Sequence, residues 1–268
     1  MRDQPSLLLV GHGSRAPAGV AEYWRFADVL HREAPALDVG CGFIELAEPD
    51  LDTAIDGLVR GGATSVVAVP LVLLGAGHLK NDGPAALARG RERHPDVHFA
   101  YGRDLGIHPN VLEVASERIE ETAGDGWAVV VVSRGSSDPD ANADLYKVGR
   151  LLWESHAPDL VEAAFVSLAP PSVPDALERC RRLGATRIAV VPYFLFTGVL
   201  VDRINAQANA WAAEHPDIEV RVGPHLGPDR RIARLVLDRY TEAVAGDVRM
   251  NCDLCTYRVA LPGHAHHH

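Results

Sequence analysis

The sequence predicts an α/β fold made twice: two tandem lobes, each a doubly wound, mainly parallel four-stranded sheet, related by internal duplication and followed by a short tail. Three observations predict it. First, GGATSVVAVP (61–70) recurs as LGATRIAVVP (183–192), an offset of 122 (183 − 61). At that offset VVVSRGS (130–136) answers LLVGHGS (8–14), and AFVSLAPPSV (164–173) answers GFIELAEPDL (42–51); HPDVHFAYGRDLG (94–106) returns as HPDIEVRVGPHLG (215–227), now 121 apart. A fixed long period marks copies of one structural unit. Second, the apolar runs SLLLV (6–10), VVAVPLVLL (66–74), AVVVV (128–132) and RIAVVPYFLF (187–196) are short, β-branched and nearly continuous. That pattern fits strands buried on both faces, hence a parallel sheet. Third, amphipathic stretches separate the runs, which gives β-α-β-α-β-α-β-α in each half.

The elements follow in order. MRDQPSLLLVGHG has one Arg, then an acid, then a short apolar run leading into GHG, so it reads as a first strand and not a signal peptide. GVAEYWRFADVLHREA (19–34) spaces Val20, Tyr23, Trp24, Ala27, Leu30 and Ala34 for one helical face. LDTAIDGLVRGG (51–62) stops at a glycine pair. PAALARGRERH (84–94) predicts a helix opening at Pro84. In the second copy, SSDPDANAD (136–144) reads as a loop and cap, with Pro139 starting the helix. The halves meet near Gly124-Asp125-Gly126, and the pattern stops after about Ala245. The expected units are an N-terminal lobe over 1–125, a C-terminal lobe over 126–246 and a tail over 247–268.

Composition narrows the function. A chain of 268 residues holds one large domain or two of about 120 residues. Its 47% hydrophobic and 23% charged residues are ordinary for a globular protein. A net charge of −10 argues against nucleic acid or an anionic membrane surface as partner, and leaves room for an anionic small molecule in a locally basic pocket. No stretch approaches the roughly 20 apolar residues that span a bilayer. Four cysteines make no disulfide framework in a chain this long, so the expected setting is cytoplasmic and reduced.

Overlaying the copies separates scaffold from chemistry. His12 becomes Arg134, Glu45 becomes Ser167 and His78 becomes Leu200, while the apolar strands and Gly13 (matched by Gly135) persist. All three residues of the first copy fall toward the carboxyl ends of strands, the rim that carries the ligand crevice in open α/β sheets. Neutral imidazole with a carboxylate makes a mixed N/O site for divalent first-row metals. Gly11 and Gly13 flank His12, and Gly75 and Gly77 precede His78, so a planar ligand can come close. Asp82 follows His78 by four residues and, on a helix, would share its face and orient the imidazole. One histidine after a strand is ordinarily a solvated or capping residue; the joint change of all three is what points to chemistry. GHGS is not a dinucleotide fingerprint, because Ala16 stands where the last glycine belongs. No G-x-S-x-G nucleophile elbow occurs, and no Arg directly precedes His12 to hold a phosphate for a phosphohistidine.

Taken together, LLLVGHGSR, FIELAEP, VPLVLLGAGHLKNDGP, SRGSSDPDANADLYK and VVPYFLFTGVLVDRI resemble the class II tetrapyrrole chelatases in their long, sirohydrochlorin-metallating form. The resemblance covers roughly 6–245, plus MNCDLCTYRV in the tail. It implies two chelatase-type lobes with one active cleft between them. It further implies insertion of a divalent metal into sirohydrochlorin, Co2+ for cobalamin biosynthesis, with Fe2+ for sirohaem and Ni2+ handled by relatives. His12 and His78 are then the catalytic and metal-handling histidines, and Glu45 assists. The substrate is rich in carboxylates, so cations must gather locally. Arg134, at the position matching His12, is the first candidate, and Arg15, Lys80 and Arg203 follow. The structural alternative for Arg134 is an ion pair with Asp138 or Asp140.

The tail carries Cys252 and Cys255 as C-x-x-C, while Cys41 and Cys180 read as buried small residues. Long-form relatives with this tail are associated with an iron–sulfur cluster of the [4Fe-4S] kind, which takes four thiolates and would here need a second subunit, a homodimer joined through the tail, or outside ligands. Zinc or transient metal, and no cofactor, are the other readings of the pair. The closing GHAHHH is either a metal-gathering tract or the remnant of a purification tag. A non-catalytic cobalt or nickel chaperone is the contrasting function, and it would not need glycine-flanked histidines.

Overall fold

The apolar runs and amphipathic stretches alternate as sixteen elements in the computed structural model, which describes residues 4–75, 77–156 and 158–246, with the side chains of 77–81 and 156 left out. The first half runs β1 (Ser6–Gly11), α1 (Pro17–Glu33), β2 (Val39–Phe43), α2 (Leu51–Arg60), β3 (Ser65–Pro70), α3 (Gly77–Arg93), β4 (His98–Tyr101) and α4 (Pro109–Thr122). The second runs β5 (Ala128–Ser133), α5 (Pro139–His156), β6 (Leu160–Phe165), α6 (Val173–Arg182), β7 (Arg187–Pro192), α7 (Val199–Glu214), β8 (Glu219–Val222) and α8 (Arg230–Val244). Each half forms one parallel sheet, ordered β2-β1-β3-β4 and β6-β5-β7-β8. The registers match: Leu8 pairs with Gly40 and Ala68, and its counterpart Val130 with Glu162 and Val190.

Burial explains the continuous apolar runs. Along β1, Leu7 and Leu9 enter one core and Leu8 and Val10 another, because successive side chains leave opposite faces of a strand. The outer core of the first sheet is covered by α2 and α3, and that of the second by α6 and α7. Between the sheets lies a shared core fed by both halves, including Leu9, Phe26, Val114, Val131, Leu145 and Val236. Burying each such side chain contributes about 1.5–3 kcal/mol.

The last helix of each half packs on the other half. Helix α8 lies against α1, β3 and β4, and α4 lies against α5 and β7. Charged contacts fix the exchange: Arg231 pairs with Glu117 at 2.6 Å, Arg234 with Glu33 at 2.8 Å and Arg103 with Glu242 at 2.9 Å. The guanidinium of Arg239 is buried, and it donates to the carbonyls of Asp104 and Leu105 and to Glu242. Removing one partner of such a buried pair costs about 3–5 kcal/mol.

Two local expectations change. Helix α3 starts at Gly77, not at Pro84, which lies inside it. The matching helix α7 starts at Val199, the same place in the repeat (77 to 199), so the helix start follows the shared scaffold and Pro84 simply forgoes one hydrogen bond. On α1 the buried face is Gly19, Tyr23, Phe26 and Leu30, with Trp24 exposed. Phe26 enters the core shared with the second half, a partner that periodicity alone does not reveal. The remaining helix boundaries follow the sequence: α2 ends at the glycine pair, α5 begins at Pro139, and α8 closes at Val244.

Candidate active cleft

His12 is the first residue beyond β1, at the carboxyl edge of the sheet. Gly13 adopts φ +95°, and a Cβ there would lie 1.7 Å from the Glu45 carbonyl oxygen. Only glycine lets the segment after β2 lie so close. That segment is pinned by Ile44 N–H to the Gly11 carbonyl at 2.9 Å and Glu45 N–H to the His12 carbonyl at 3.1 Å. The result brings His12 Nε2 to 3.7 Å from Glu45 Oε1; the two side chains are 33% and 45% exposed, while the Nε2 atom itself is covered by protein. The second half repeats the construction with Gly135 at φ +83°, Val166 N–H to the Ser133 carbonyl and Ser167 N–H to the Arg134 carbonyl. Scaffold and hydrogen bonds persist; the imidazole and carboxylate do not.

The two rims enclose a cleft of about 1010 Å³, lined by His12, Arg15, Glu45 and Asp82 from the first half and by Arg134 and Arg203 from the second. This is at the upper end of small-molecule sites. The side chains of Arg15, Arg134 and Arg203 form no hydrogen bond or ion pair among the described residues, whereas most arginines elsewhere are paired, as Arg93 is to Asp52 and Asp56. Arg134 makes neither of the ion pairs to Asp138 or Asp140; Asp138 instead caps α5 through the Asp140 N–H. Three unpaired guanidinium groups around one cavity form a locally basic site in an acidic chain.

His78 lies in the first turn of α3 and Asp82 one turn further, so they share a helical face, and Asp82 reaches the cleft. The side chains of His78 and Lys80 lie outside the described residues, as do Cys252 and Cys255 with the rest of 247–268. Among the described residues no three His, Cys, Asp or Glu side chains gather as a metal-binding group. Cys180 is buried, and burial pushes its thiol up to about 12; Cys41 is half-buried, with its thiol pushed up to about 11 for the same reason. No described helix is long and apolar enough to cross a membrane.

Beside the cleft stands a feature that overlaying only the strands and their rims does not reveal. Glu22 on α1 accepts the Thr197 N–H at 2.6 Å and meets His225 Nε2 at 2.9 Å, linking the halves. The repeat carries Glu22 to Asp144 and Thr197 back to Gly75 (122 apart), and His225 back to Asp104 (121 apart), so the mirrored place holds two acids. Asp104 is wholly buried, with neither carboxylate oxygen in a hydrogen bond among the described residues. Burial first, and then the nearby Asp144, push its carboxyl up to about 7, against the pull of the Gly75 N–H, Arg103 and Arg239. The hydroxyl of Tyr193, which lines the cleft, is buried without a hydrogen-bond partner among the described residues, and burial with Asp144 and Asp104 raises its pKa. Extending the repeat offset to helix positions would have exposed the exchange.

Two parallel four-stranded sheets, one from each copy and meeting at one cleft, are the chelatase fold. The CbiX family profile matches residues 6–122 and again 128–243, and the chain belongs to the CbiX family. It is 39% identical to the sirohydrochlorin cobaltochelatase of Priestia megaterium over 98% of this chain and 88% of that protein. It is 30% identical to the sirohydrochlorin ferrochelatase of Bacillus subtilis over 90% of this chain and 92% of that protein. The sirohydrochlorin chelatase SirB of Bacillus subtilis subspecies spizizenii, solved in complex with cobalt, superposes with a TM-score of 0.77 at 30% identity, covering 91% of this chain and 96% of that one.

Proposed function

We propose that this chain is a metal chelatase that inserts a divalent ion, Co2+ in the first place, into sirohydrochlorin for cobalamin biosynthesis. The observation that carries the reading is the composition of the cleft: an imidazole 3.7 Å from a carboxylate on one rim, and unpaired guanidinium groups from both halves around it. Arg15, Arg134 and Arg203 bind the peripheral carboxylates, with Lys80 assisting. His12 holds the incoming ion and, once the ion has passed to the ring, takes a pyrrole proton on the freed nitrogen, and Glu45 offsets the charge that builds on the imidazole. His78 is the second metal-handling and proton-accepting residue, oriented by Asp82. Two or three protein ligands hold a metal loosely enough to release it, unlike a closed four-ligand cage.

The test is the visible spectrum of sirohydrochlorin with Co2+, Fe2+ and Ni2+ in competition, with and without the protein. Faster insertion with Co2+ leading is the expected result. A rate equal to the uncatalysed one would make the chain a carrier and end this reading. Fe2+ leading would favour the second reading, sirohaem synthesis, which the ferrochelatase relative supports.

A further inference from the structure

Leu46 and Leu168 occupy the same place in the two copies, and both are unusual for leucine. They are 45% and 56% exposed, and both line the cleft. Leu46 also holds φ +65°, the left-handed region that L residues with a β-carbon avoid. Neither burial nor backbone preference accounts for a leucine there. Their exposure is built into pinned loops. Phe43 and Phe165 donate to the carbonyls of Pro49 and Pro171, both at 2.9 Å, and the Leu168 N–H donates to the Arg134 carbonyl at 3.3 Å. The next residues, Ala47 and Ala169, pack on the shared core, while both leucines are left out of it. Other leucines kept in both copies, Leu30 with Leu152 and Leu105 with Leu226, are buried, and the residues that change, Glu45 and Ser167, carry chemistry. A leucine that is kept and yet exposed belongs to neither group.

We infer that Leu46 and Leu168 form an apolar clamp, one jaw from each half, that grips the faces of the tetrapyrrole macrocycle and sets affinity for a flat, hydrophobic ring. The inference rests on the reading of the cleft as a tetrapyrrole site. The occupant follows from complementarity: the arginines beside the jaws, Arg15 and Arg134, meet the charged rim of such a molecule, which leaves its apolar faces for the leucines. Val199, exposed on the same cavity, extends this surface.

The experiment is fluorescence titration of the whole chain with metal-free sirohydrochlorin, at low and high salt, together with insertion kinetics. Leu46→Asn keeps a residue that tolerates the left-handed backbone while removing the apolar jaw; Leu168→Asn removes the jaw of the other half, and Leu183→Asn, exposed and remote from the cleft, is the control. Each jaw variant should raise Kd and KM about 3- to 10-fold, as expected for a half-exposed leucine that becomes covered, with kcat held and the loss insensitive to salt. The thermal midpoint should match that of the control variant. Wild-type binding with unchanged Kd in both jaw variants would overturn the clamp and leave the site reading standing. A wild-type chain that binds no tetrapyrrole would overturn both. A change in oligomeric state without a change in Kd would make the leucines a surface for a second copy and also overturn the clamp.

Discussion

Replacing Asp104 with asparagine should stabilise the protein, and more so as pH rises. The carboxyl is wholly buried near Asp144, Tyr101 and Tyr193, with Arg103 and Arg239 only partly offsetting the burial, and its pKa moves from an ordinary 3.8 to about 7. At about 1.4 kcal/mol per pH unit, that is about 4 kcal/mol of preference for the neutral form. Because the folded value is raised above the unfolded one, the neutral acid's contribution is fully present below about pH 4 and is lost as pH rises through about 7. Asparagine never ionises and is close to the neutral acid in size and shape. The variant should therefore gain about 4 kcal/mol over wild type at pH 8 but only about 1 kcal/mol at pH 4.5. For a chain of this size, about 1 kcal/mol shifts Tm by about 2–4 °C, so the difference is readily seen by circular dichroism melts at the two pH values. A gain equal at both values, or a loss at pH 8, would refute the placement of an ionisable, buried Asp104 between the halves.

Three further outcomes follow from the cleft and the tail. His12→Ala and His78→Ala should each lower metal insertion by about 100-fold or more while the melting profile is preserved, read from the absorbance change of sirohydrochlorin; full activity in both would remove the histidines from the chemistry. Arg134→Ala should raise KM about 10-fold with little change in kcat, and should flatten the dependence of KM on salt, because it removes a charge partner for substrate carboxylates. Truncation after Ala245 should leave insertion rates within about 2-fold, since catalysis is assigned to residues on the cleft; iron and zinc analysis of the intact chain, with its mass in solution, tests whether Cys252 and Cys255 hold a cluster shared by two copies.

Much of the architecture was legible in the amino acids. Short, continuous β-branched runs such as AVVVV fit strands covered on both faces, and in-frame recurrence of the same side chains pointed to one topology for the two copies. The contrast of His12 and Glu45 with Arg134 and Ser167 likewise singled out one rim, and the backbone explains their approach through Gly13, where any side chain would strike the Glu45 carbonyl. Tertiary structure alone decided what the two copies do to each other. A helix reads its own amphipathic face but not its partner, so the crossing of α4 and α8 to the opposite halves could not be seen locally, nor could the burial of Phe26 and Arg239 that it causes. The same holds for Asp104 and for the exposure of Leu46 and Leu168. Charge and hydrophobicity are properties of a residue, whereas desolvation depends on what the rest of the chain brings within a few ångströms of it.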